Sequence, residues 1–241
     1  MRKHTRPLLV GISAFVALGT LSGCTGGSST ESTSSSQPAP APSTSTTTEA
    51  KVPASARYMA DMVSADGRKM TIGISVDGSD IAAYACNGTD DEAWFFGNQV
   101  DGKVDIKSRF RDTLQAEFAG NEVTGEVTMN EVEYDFTANA VGGVAGMYTA
   151  DHEGVRASWV VRLDGSATGV QFSGFPQGDR DRNFDPFNLD GLTDFQVRND
   201  VRNKRNLGPA GPIEFPQGRP QSSINGVPVT PTLVTGTFRL G

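Results

Sequence analysis

Met70-Thr71-Ile72-Gly73-Ile74-Ser75-Val76, then Asp77-Gly78-Ser79, then Asp80-Ile81-Ala82-Ala83-Tyr84-Ala85-Cys86 ahead of Asn87-Gly88, is the stretch that decides the fold. Met70, Ile72, Ile74 and Val76 fall on every second position, the period that places side chains on one side of an extended strand. Asp77-Gly78 then supplies the positive φ that a tight hairpin turn requires. A strand, a reversal and a second strand are therefore expected.

The same grammar extends outward in both directions. Asp66-Gly67, Asp101-Gly102, Gly120-Asn121, Gly142-Gly143 and Asp164-Gly165 punctuate the chain, with alternating segments such as Glu122–Met129 and Val132–Thr137 between them. About ten short strands joined by tight turns fit into Tyr58 to Gly174. The expected fold class is all-β: a single antiparallel meander forming a small β-barrel or sandwich, with an irregular C-terminal tail packed on it. Val76-Asp77-Gly78-Ser79 and Leu163-Asp164-Gly165-Ser166 are near repeats, which a hairpin turn written twice explains more cheaply than duplication.

After Gly174 the composition shifts to Pro, Gly, Asn and Arg through Arg219, yet Phe175, Phe184, Phe187, Phe195 and Phe215 persist. A mere linker seldom keeps so many phenylalanines, so the tail is expected to seat them on the β domain. Val227 to Leu240, interrupted by Pro228 and Pro231, has room for an edge strand at most.

The amino terminus reads differently. Arg2, Lys3, His4 and Arg6 precede an apolar run from Leu8 through Leu18, the layout of an export signal. The run is shorter than the roughly 20 residues a spanning helix needs. Leu21-Ser22-Gly23-Cys24 follows and resembles the lipobox of bacterial lipoproteins, an aliphatic residue and two small ones before cysteine. That resemblance covers the signal and implies a diacylglyceryl group on the Cys24 sulfur, cleavage just before Cys24, and membrane attachment through that lipid. Thr25 to Pro53 is almost entirely Ser, Thr, Pro, Ala and Gly, a composition that cannot offset chain entropy by burial. As a flexible tether of 29 residues it spans about 30 Å root-mean-square. The expected organisation is thus a signal over 1–23, a lipidated cysteine and stalk over 24–53, a β-barrel or sandwich domain over 54–174 and an irregular extension over 175–241. Lipobox, stalk and domain together resemble actinobacterial envelope lipoproteins, and the implied location is the outer face of the cell membrane.

Tyr84–Gly88, Glu92-Ala93-Trp94-Phe95, Phe136-Thr137-Ala138, Ala145–Tyr148, Ser158–Val161 and Asp164-Gly165 together resemble an uncharacterised β-rich domain of exported actinobacterial proteins. The similarity covers roughly Tyr58 to Gly174 and rests on turns and core aromatics. It implies a fold and a compartment and hands over no catalytic residue.

Charge narrows the partners. Four of the 21 basic and two of the 28 acidic residues precede residue 54, leaving 17 against 26 and a net charge of about −9 on the rest. Such a domain repels phosphate backbones, so nucleic acid is not an expected partner. A cell-wall, lipid or protein partner remains open.

Few residues can carry chemistry. With Cys24 assigned to the lipid, Cys86 has no disulfide partner in the chain and sits in an apolar strand, where an unpaired cysteine is usually a buried small hydrophobe. A reactive thiol needs an exposed, electropositive setting instead. His152, in Asp151-His152-Glu153-Gly154, reads as a hairpin tip, and no nucleophile motif accompanies it. Asp179, Asp181, Asn183, Asp185 and Asp190 offer oxygens at calcium-like spacing, but Phe184 stands where the loop needs glycine and the interleaved arginines neutralise the carboxylates. No cofactor is expected. Asp90-Asp91-Glu92 beside Trp94-Phe95-Phe96 suits either a sugar platform or core packing; Trp94 and Phe96 share one face and Phe95 takes the other. Three functions stay open: a non-catalytic binding or structural module, a hydrolase using carboxylates or Cys86, and a carrier of an apolar ligand in a barrel lumen.

Overall fold

Reversal at one tight turn after another organises the chain. In the computed structural model, which describes residues 52–176 and 188–240, eight strands run up and down in sequence order. They are β1 (Ser55–Val63), β2 (Lys69–Asp77), β3 (Asp80–Cys86), β4 (Glu92–Val100), β5 (Lys103–Lys107), β6 (Thr113–Ala119), β7 (Glu122–Met129) and β8 (Val132–Val141). Strand β8 returns to β1 through Arg57↔Val141, Tyr58↔Ala140 and Met59↔Asn139, closing an antiparallel barrel. Between β4 and β5, Asp101 and Gly102 take φ of 51° and 78°, the two positive values of a type I′ turn. Asn130 and Glu131 do the same between β7 and β8 without any glycine.

Three further strands continue the meander but leave the barrel. β9 (Gly146–His152), β10 (Val155–Val161) and β11 (Ala167–Phe172) pair with one another, extended at one edge by β12 (Leu207–Pro209). β13 (Ser222–Ile224) and β14 (Val227–Val229) form a separate hairpin, and β15 (Thr232–Leu233) joins the other edge of the second sheet beside β9. The choice between barrel and sandwich thus resolves as a closed barrel with a second sheet laid on its wall.

Burial alternates only where the barrel wall is bare. In β5 and β8 every second residue is buried, whereas all seven residues from Met70 to Val76 in β2 are. Met70, Ile72, Ile74 and Val76 point into the lumen with Tyr58, Ile81, Phe95 and Leu114, and side chains fill it. The outward positions carry small residues so that the second sheet can approach. At Gly73 an added Cβ would overlap the Met147 side chain. Ala82, Tyr84, Cys86 and Trp94 then pack against Met147, Val160 and Val170.

The opposite face of the second sheet, with Tyr148, Ala157 and Trp159, is covered by Ile213, Ile224 and the partly buried Phe215 from the tail. Phe175 packs with Phe110 against Leu189, Val197 and Val201, while Phe195 is exposed. The tail therefore seats its phenylalanines on both layers, and it contains short helical turns from α1 (Asp194–Gln196) through Lys204. Its last stretch straps back over the barrel: Ser75 Oγ donates to the Val234 carbonyl at 2.9 Å, and Gly236 N–H to Asp77 Oδ2 at 2.8 Å. The signal, Leu21 to Cys24, the stalk, Asp179, Asp181, Asn183, Asp185, Phe184 and Phe187 lie outside the described residues.

Candidate binding cleft

Strand β4 turns Glu92, Trp94 and Phe96 outward at its start, beyond the area that the second sheet covers. A cleft of about 480 Å³ opens there, within the range of small-molecule sites. The connection between β5 and β6 contributes Lys107 to Phe110, strand β10 Arg156, and the end of β11 and its continuation Phe172 and Phe175.

Its walls are aromatic. Trp94 and Phe96 stack with centroids 5.5 Å apart and planes 15° from parallel, and Phe238 of the C-terminal strap lies 5.5 Å from Trp94. Phe172 meets Phe175 edge-on at 5.7 Å. Arg156 stands over the Phe172 ring at 5.1 Å and Arg205 over Phe110 at 4.7 Å, where each cation is drawn to the ring face.

Its polar end is built around Glu92, whose side chain is 2% exposed. One carboxylate oxygen accepts from Arg156 Nη2 and the other from the Tyr84 hydroxyl at 3.0 Å. Burial pushes the Tyr84 phenol well above its ordinary value, so it stays a hydrogen-bond donor. Arg205 reaches the Glu92 carbonyl at 2.9 Å, which fixes the strand end itself. Two donors nevertheless find no acceptor among the described residues: Trp94 Nε1 and Arg156 Nε, both buried. Trp94 as a whole is 7% exposed.

Arg205 also borders a second, more polar cleft of about 490 Å³, where opposite charges are already matched. Arg202 donates from Nε to Asp112 at 2.9 and 3.1 Å and from Nη2 to Asp91 at 2.7 Å. Burial raises the Asp91 carboxyl against the pull of Arg202 and Arg205.

The residues singled out from sequence distribute unevenly. Asp91 and Glu92 enter these ionic contacts, and Asp90 remains in an exposed turn held by the Asn87 side chain. Phe95 goes to the lumen and Trp94 to the interface between layers, as strand alternation implies. Cys86 is buried, its Sγ 3.7 Å from the Thr168 carbonyl oxygen, and burial pushes its thiol up to about 12. His152 ends β9 at the hairpin tip, 4.0 Å from Glu153. Asp190 is exposed in a turn. Among the described residues no three His, Cys, Asp or Glu side chains gather as a metal site would require.

Arg156, Arg202, Arg205 and Asp112 escape sequence reasoning because their partners lie 64 to 113 residues away in the chain. The one local signal is a charge embedded in an apolar strand, as at Glu92 before Ala93-Trp94-Phe95. No family model, no curated protein and no solved structure matches this chain, so the reading of the cleft rests on its own geometry.

Proposed function

We propose that this chain is a membrane-anchored envelope lipoprotein, held at the outer face of the cell membrane by lipid on Cys24, whose β domain is a non-catalytic binding module. The carrying observation is the cleft beside β4: aromatic walls, a polar end, and two buried donors without an acceptor among the described residues. Concave, largely apolar sites with a few convergent polar groups are what small ligands occupy.

Hydrolysis has less to stand on. A nucleophilic cysteine acts as thiolate, and a buried thiol raised to about 12 is protonated at neutral pH. Glu92 has both oxygens engaged by Arg156 and Tyr84. A carrier with its cargo in the lumen would need space that Tyr58, Ile72, Phe95 and Leu114 occupy.

The test is mass spectrometry of the protein purified from its own envelope, intact and under native conditions. The expected species begins at Cys24, carries diacylglyceryl there, and retains a small molecule under gentle ionisation. A Cys24→Ser variant is expected to leave the membrane fraction. An unmodified native protein that remains soluble sinks the anchoring half of the proposal; a native protein that never retains or takes up a small molecule sinks the binding half.

A further inference from the structure

The geometry points to an organic carboxylate with an apolar body as the occupant of the cleft beside β4. This deepens the binding-module reading and rests on it.

Three observations select the chemistry. First, the unpaired polar groups at the site are donors: the Trp94 indole N–H and Arg156 Nε, both buried. A buried donor left unpaired costs about 1–3 kcal/mol, so the site favours whatever brings an acceptor. Second, the lining carries four basic side chains, Lys107, Arg109, Arg156 and Arg205, against two acidic ones, Glu92 and Asp151. The rest of the molecule is acidic, so this local excess selects an anion. Third, Trp94, Phe96, Phe110, Phe172, Phe175 and Leu240 present apolar surface around those donors. Water satisfies the donors but leaves that surface wet. A carboxylate on a hydrocarbon body meets both demands, its oxygens toward Trp94 and Arg156 and its body on the rings.

The source follows from size and depth. A lipid still in its bilayer would require an exposed apolar rim next to a basic surface, whereas this cleft is walled by aromatic residues and holds its polar end at the buried Glu92–Arg156 pair. A free small molecule is the occupant assigned.

The experiment titrates the full-length protein, reconstituted in phosphatidylcholine nanodiscs, with three probes that share an eight-carbon tail: octanoate, octanol and octyltrimethylammonium. Tryptophan emission reports, because Trp94 lines the cleft and Trp159, the second of two tryptophans, lies on the far face of the second sheet. Octanoate is expected to shift the emission saturably, with octanol at least tenfold weaker and the cation without effect. A charge-assisted hydrogen bond of about 1.5–3 kcal/mol corresponds to that ratio.

Arg156→Gln would strand the buried Glu92 carboxylate and is a poor probe if it fails to fold. Arg109→Gln and Arg156→Lys keep a cation beside Glu92. Each is expected to narrow the octanoate-to-octanol ratio, while Phe172→Ala weakens both probes alike. Equal binding of all three probes overturns the inference, as does a ratio that neither arginine variant moves. So does an emission change that follows protein concentration alone, the mark of a second copy in the cleft. If octanoate does not bind but a different small molecule is retained in native mass spectrometry, the binding-module reading stands and this inference alone falls.

Discussion

Arg202 is 3% exposed and holds two carboxylates, one of them, Asp112, only 1% exposed. Desolvating these ions is costly, and the arrangement is tolerable because nearly every polar atom is used. Asp112 also accepts from the Asn130 N–H at 3.1 Å and the Ser108 hydroxyl at 3.2 Å. Arg202→Met would leave the acidic pair without its guanidinium, and breaking a buried pair from one side costs about 3–5 kcal/mol. Urea denaturation should show a loss of that order, and a loss under 1 kcal/mol would mean that water already reaches Asp112. A smaller adjustment sits at Glu131, a non-glycine residue at φ 67° in the β7–β8 turn. Left-handed backbone costs such a residue about 1–2 kcal/mol. Glu131→Gly relieves that and gives up the exposed pair with Arg198 at 2.9 Å, which contributes about 0–1 kcal/mol. A net gain of roughly 0.5–1 kcal/mol should appear as a raised melting temperature, and a lowered one would show that the ion pair outweighs the strain.

At the scale of elements, the second sheet is fastened to the barrel by side chains whose positions a single sequence cannot relate. Asp61 of β1 receives Arg162, just after β10, through Nε at 3.0 Å and Nη2 at 2.5 Å, and receives the Thr71 hydroxyl at 2.7 Å. The hydrogen bonds from Arg162 hold the Asp61 carboxyl below the usual carboxylate range. A depressed folded value contributes stability above the unfolded value, about 3.9, and that contribution is lost as pH falls through the folded value. The stability difference between the native protein and Asp61→Asn should therefore be flat from pH 7 to about pH 5 and vanish in strong acid. Half-exposure of Asp61 keeps it small, on the order of 0.5–1 kcal/mol. A difference that grows toward low pH would contradict the assignment. The strands themselves were legible, since period-two alternation and Asp-Gly or Asn-Gly turns are local signals. What stayed hidden is closure after β8, because Gly142-Gly143 reads like any other reversal although the chain there leaves the barrel. The Asn130-Glu131 turn was hidden too, because nothing in its residues requires φ > 0. Of the cleft, Trp94 and Glu92 were visible as types, but Arg156 and Arg205 join them only through folding.

For the whole molecule, the question is whether barrel and second sheet unfold as two units or one. The barrel has a lumen core of its own, from Tyr58 to Ala138, which argues for independence. Against this stands what the separated layers would expose. Tyr84, Cys86 and Trp94 on one side and Met147, Val160 and Val170 on the other would all meet water. Full burial of each large side chain is worth about 1.5–3 kcal/mol, so parting the layers costs as much as a small domain's entire stability. The Glu92–Arg156 and Asp61–Arg162 pairs cross the same boundary, and the C-terminal strap ties Val234 and Gly236 to β2. One cooperative transition is therefore expected. Cys86 reports it from within that boundary, for a thiol at about 12 is thiolate in roughly one molecule in ten thousand at pH 8, even before burial blocks access. Alkylation by iodoacetamide, followed by the mass of the Cys86 peptide, should yield the same unfolding free energy and urea dependence as circular dichroism. If Cys86 is instead modified at urea concentrations where the barrel signal is intact, the second sheet detaches first. The cleft beside β4 would then open by that route, because Arg156 and Phe172 would leave with β10 and β11.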